Sequence, residues 1–129
     1  MEKHKIKDGV WEIPVTAKPG MRVPARLYSS DKLIASLDDG VYEQVTNVAM
    51  LPGIVGHALC MPDGHWGYGF PIGGVAAFST SDGVISPGGI GFDINCGMRL
   101  IRTNLTLDEV KPKLNQLLEK LFQFVQVGS

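Results

Sequence analysis

Apolar residues recur at helical spacing over one long stretch of the chain. Leu107, Val110, Leu114, Leu117, Leu118, Leu121, Phe122 and Val125 fall on one stripe, which predicts an amphipathic helix over about 107–125. Thr106 and Glu109 have capping-box spacing, in which each side chain accepts from the other's backbone N–H. Asp108 adds favourable charge at the positive end of the helix. Pro112 lies beyond the first turn and has no N–H to donate to residue 108. The pattern therefore predicts a kink there, or a regular helix that begins near Lys111.

Earlier segments are shorter and less periodic. Residues 1–8 are charged and read as frayed or lightly held. Val10 to Val15 reads as a short edge strand, and Pro19-Gly20 as a turn. Met21 to Leu27 is extended, but Pro24 suits it poorly to a central strand. Ser30 is placed to cap a short helix reaching Leu37, before an Asp38-Asp39-Gly40 turn. Val41 to Met50 reads as a second helix with Val41, Val45, Val48 and Ala49 on one side, ended by Leu51-Pro52-Gly53. Ile54 to Met61 predicts a buried strand entering a Pro62-Asp63-Gly64 turn. Ile72 to Phe78 is the clearest strand pattern. Turns follow at Ser81-Asp82-Gly83 and Ser86-Pro87-Gly88-Gly89, and Met98 to Asn104 reads as a strand with Arg99 outward. The fold class expected is α+β, with mixed or antiparallel strands, Gly-rich loops and a C-terminal amphipathic helix.

Composition sharpens this picture in one place. Twelve of the 16 glycines lie between Gly53 and Gly97. Aromatics, Ile and Val are interleaved with them, which favours ordered tight turns over a solvated linker. The 129 residues are 44% apolar, enough for one domain with a core. Net charge is −1, from 12 basic and 13 acidic residues, so global electrostatics point to neither nucleic acid nor membrane. No run approaches the length of a membrane span, and the basic start lacks the apolar run of a signal peptide. Cys60 and Cys96 read as reduced thiols of an intracellular protein rather than as a disulfide.

Two clusters carry candidate chemistry. Asp93 and Cys96 put a carboxylate and a thiol three residues apart, a hard and a soft metal ligand that together make only part of a site. Spacing alone is a weak signal for metal, and on that ground a buried Cys96 and a turn-forming Asp93 is the favoured reading. Asp63 and His65, in Pro62-Asp63-Gly64-His65, can orient one another or exchange a proton with a substrate; a turn Asp and a surface His remain the alternative. His57 and Cys60 fall on opposite faces of a strand and read as packing. Arg99 and Arg102 can grip phosphates or simply be solvated.

Longer motifs then become informative together. Trp11-Glu12-Ile13-Pro14, Met21-Arg22-Val23-Pro24 and Gln44-Val45-Thr46-Asn47-Val48-Ala49 stand beside two long runs, Met61 to Gly74 and Gly83 to Gly97. With these, the chain resembles the N-terminal portion of the RtcB-type RNA-splicing ligases. The resemblance implies that residues 1–129 are the N-terminal portion of a larger catalytic domain, with a Gly-rich metal and nucleotide segment at 53–104. It implies a cytoplasmic enzyme of tRNA splicing or RNA repair. Such an enzyme joins 2′,3′-cyclic phosphate or 3′-phosphate RNA ends to 5′-hydroxyl ends through a guanylylated histidine, with GTP and manganese as cofactors. The family's metal-binding Asp and Cys fall on Asp93 and Cys96, and its Asp near the guanylylation site falls on Asp63. His4, His57 and His65 match neither the family's other histidine ligands nor its guanylylated histidine. The chain by itself is accordingly expected to be an inactive fragment. The competing expectations are a noncatalytic fold unit, including a homodimer, and a small phosphate- or metal-binding module.

Overall fold

A computed structural model of the chain describes residues 1–91, 94 and 97–125. The chain divides into two compact units, residues 1–95 and 96–129.

The first unit is built on a mixed five-stranded sheet, β1 (His4–Lys7), β2 (Val10–Ile13), β3 (Ala25–Tyr28), β4 (Ile54–His65) and β5 (Ile72–Phe78), in that spatial order. The β3–β4 pair is parallel and the other pairs are antiparallel. The charged start of the chain is therefore an edge strand and does not fray. Lys5 is pinned by Asp31, whose two carboxylate oxygens lie 2.7 and 2.8 Å from its Nζ. This places β2 inside the sheet instead of at its edge.

Strand β3 is central, against the expectation raised by Pro24. The proline stands one residue ahead of the strand, so its missing N–H breaks no ladder bond, and its carbonyl accepts from Ala58 N at 3.2 Å. A parallel pair needs a crossover. Here it is made by two helices, α1 (Asp31–Ala35) and α2 (Asp39–Val48). Ser30 caps α1 by accepting from Leu33 N at 3.3 Å, and the helix stops short of Leu37. Asp38 accepts from Gly40 N at 2.9 Å, so the expected Asp38-Asp39-Gly40 turn is the beginning of α2.

One face of the sheet and one face of α2 meet in a single core. Ile13, Ala25, Leu27, Ala58 and Cys60 are buried with Val41, Val45, Val48 and Ala49. The alternation along β2, β3 and β4 turns Glu12, Arg26 and His57 to the opposite face.

Strand β4 departs twice from regular pairing. Val55 pairs with Ala77 and Leu59 with Val75, so four steps along β4 oppose two along β5. Cys60 then pairs with Gly74 and His65 with Ile72, so five steps oppose two. Pro62-Asp63-Gly64 is thus an excursion within the strand and not the expected turn that ends it.

The second unit contains α3 (Leu107–Val110), a 3-10 turn (Lys111–Lys113) and α4 (Leu114–Phe124). Thr106 and Glu109 make the expected capping box, and the break falls at Pro112. Residues 98–104 form no strand, contrary to expectation. Among the described residues they have no ladder partner, and a strand exists only through one. Leu114, Leu117, Leu118 and Leu121 are exposed. No helix among the described residues is long and apolar enough to cross a membrane.

Candidate functional site

The excursion in β4 presents Asp63 to solvent while the strand is held at both ends. Cys60 is buried at one end, and His65 pairs with Ile72 at the other. The carboxylate lies over the backbone of β5. A Cβ on Gly73 would stand 2.5 Å from Asp63 Oδ1 and 3.1 Å from Cγ, and Gly73 has φ +76. Only glycine fits both the space and the backbone there. Gly64 is equally confined, since a Cβ on it would stand 2.9 Å from Cys60 Sγ.

His65 lies beside this carboxylate in sequence and is exposed. Its Nδ1 is 3.1 Å from Trp66 O. A carbonyl only accepts, so Nδ1 carries the proton and the neutral ring keeps its lone pair on Nε2. Cys60 is of no use as a ligand in this state. Burial, and then the charge of Asp63, push its thiol up to about 11, and metals bind thiolates.

Helix α2 supplies a residue that sequence reasoning missed. Gln44 is 7% exposed, and both ends of its amide bond the loop after β4. Nε2 donates to Gly67 O at 2.6 Å, and Oε1 accepts from Gly67 N at 2.9 Å. One turn earlier, a Cβ on Gly40 would stand 2.9 Å from the Trp66 ring. The signal in the sequence was a long amide on the apolar side of a helix, four residues after a glycine.

The sheet's other face carries a separate polar cluster. Arg26 Nη2 donates to Glu12 Oε2 at 2.7 Å and to His57 Nε2 at 2.9 Å. Arginine has no lone pair to offer, so His57 Nε2 accepts in that contact, and the same nitrogen lies 3.4 Å from Glu12 Oε2. This agrees with a packing and hydrogen-bonding role for His57, with Cys60 on the opposite face.

Asp93 and Cys96 lie outside the described residues. Among those described, no group of three or more His, Cys, Asp or Glu is placed to hold a metal ion. The described residues therefore do not form a manganese site by themselves. Arg99 and Arg102 are exposed.

Comparison with known proteins adds to this geometry. The model of the family described as tRNA-splicing ligase RtcB matches residues 44–129, which include Gln44, Asp63, Asp93 and Cys96. A protein of Thermococcus kodakarensis named tRNA-splicing ligase RtcB is 61% identical over 119 residues, covering 92% of this chain and 24% of its own length. Namesakes from Archaeoglobus fulgidus and Methanococcus maripaludis are 56% and 54% identical over 124 residues, 96% of this chain and 26% of theirs. The chain spans about a quarter of the length of these curated relatives.

Proposed function

Because the chain belongs to the RtcB family of tRNA-splicing ligases, we propose that it is the N-terminal portion of a cytoplasmic RNA ligase. The ligase joins 2′,3′-cyclic phosphate or 3′-phosphate ends to 5′-hydroxyl ends. The observation that carries this reading is the family match over residues 44–129, which takes in both candidate clusters. The exposed seat of Asp63 on Gly73 supports it, since a carboxylate fixed on a rigid strand can meet a reacting group.

Within that reading, residues 53–104 form a Gly-rich wall of the catalytic domain. Asp93 and Cys96 would hold manganese together with ligands from elsewhere in the enzyme. When bound, manganese would neutralise phosphate charge and GTP would supply the activating nucleotide. Asp63 accepts a hydrogen bond or proton from the group that takes the nucleotide, holding it oriented. The glycines keep side chains out of the way so that backbone and carboxylate sit close together.

The test uses the intact protein with an RNA substrate carrying a 2′,3′-cyclic phosphate and a 5′-hydroxyl. Asp93→Ala and Cys96→Ala should each lower manganese content and abolish joining, while Asp63→Asn should slow joining severely but measurably, with manganese retained. Full joining by Asp93→Ala and Cys96→Ala would refute the assignment.

A further inference from the structure

We infer that Gln44 is a positioning residue for the Asp63 carboxylate, a role that rests on the ligase reading above. Its burial among Val41, Val45 and Val48 suits an apolar side chain, yet it is a primary amide. Its amide nitrogen and its carbonyl oxygen both bond one residue, Gly67. Gly67 lies past the end of β4 and has no strand to satisfy its backbone. The Gln44 amide therefore does for Gly67 what a neighbouring strand would do, pairing N–H and C=O together.

Three residues, Gly64, His65 and Trp66, separate Gly67 from Asp63, and each step is tied down. Asp63 lies over Gly73, Gly64 abuts Cys60 Sγ, and His65 pairs with Ile72. His65 Nδ1 donates to Trp66 O, and the Trp66 ring rests on Gly40 of α2. Gly67 also approaches Phe70 closely, because a Cβ on it would overlap Phe70 O. Releasing Gly67 from Gln44 frees the C-terminal end of this run. Asp63 then keeps its seat on Gly73, and His65 and Trp66 keep Ile72 and Gly40, but the run loses the outermost anchor that limits its play.

The experiment compares single-turnover joining by the intact ligase with Gln44→Glu, Asp63→Asn and the double variant. Gln44→Glu keeps the acceptor for Gly67 N–H and loses the donor to Gly67 O. It should slow joining by about ten- to a hundred-fold, with KM for RNA little changed. The double variant should be no slower than Asp63→Asn alone, since a residue acting through Asp63 has nothing left to position. Multiplied losses, or an unchanged rate in Gln44→Glu, would overturn the role of Gln44. Full joining by Asp63→Asn would instead remove the ligase role of Asp63 itself. Should Gln44→Glu fail to fold, Gln44→Met, which keeps the length without either hydrogen bond, is read by the same criterion.

Discussion

Arg26 and Glu12 are direct partners across β2 and β3, joined by a 2.7 Å hydrogen bond between their charged ends. The guanidinium holds the Glu12 carboxyl below the usual carboxylate range. Both side chains are about a quarter to a third exposed, so the pair is partly shielded from solvent.

Glu12→Gln is expected to cost about 1–2 kcal/mol at neutral pH, the scale of a charge-assisted hydrogen bond. Because the folded pKa is depressed, this stabilisation is present above the unfolded value near 4.5 and is lost as pH falls through the folded value. Thermal unfolding across pH 7 to pH 2 checks this: the gap between the two proteins should be wide at pH 7 and should narrow steadily as the pH falls below 4.5.

Cys60 should resist thiol reagents while the chain is folded. It is 1% exposed, and its pKa is raised from 9.0 to about 11 by burial and then by Asp63. At pH 8 almost none is thiolate, and the sulfur is out of reach. Iodoacetamide followed by peptide mapping should leave the Cys60 peptide unmodified until denaturant is added. The raised pKa also means that Cys60 favours folding below pH 9.0, and that this contribution drains away as pH climbs toward 11.

How much of this was legible beforehand depended on distance along the chain. Strand β5, helix α2 and the Thr106–Glu109 cap are local patterns, and each was readable from residues within a few positions. The central place of β3 was not, because it is decided by β4, about 30 residues later. Pro24 misled because its cost depends on whether it stands inside the ladder or just ahead of it. Asp38-Asp39-Gly40 misled because a side-chain oxygen that closes a turn also caps a helix. At the candidate site, Asp63 was visible as a residue but its seat on Gly73 was not. That contact joins β4 to β5 through an irregular pairing that no periodicity announces. Gln44 was hidden for the same reason, since its partner lies 23 residues away in a loop.

Gly53→Ala and Gly9→Ala should separate close packing from backbone strain. Both glycines have left-handed φ, +70 and +71. A Cβ on Gly53 would stand 2.6 Å from Gly83 N and 2.7 Å from Asp82 O, whereas one on Gly9 meets nothing within 4 Å. Gly9→Ala should then cost about 1–2 kcal/mol, the left-handed penalty alone. Gly53→Ala adds an overpacking penalty of about 1–3 kcal/mol, because backbone atoms cannot rotate aside. Urea midpoints of the two variants measure the difference, and equal midpoints would contradict the approach of residues 53 and 83.

The excursion of β4 between Cys60 and His65 separates reactivity from architecture. Both flanking residues have their own partners on β5, Gly74 and Ile72. Randomised libraries confined to Met61, Pro62 and Asp63 would therefore survey new reactivities on an unaltered frame, whereas Gly64, closed off by a neighbouring sulfur, should stay outside such a library.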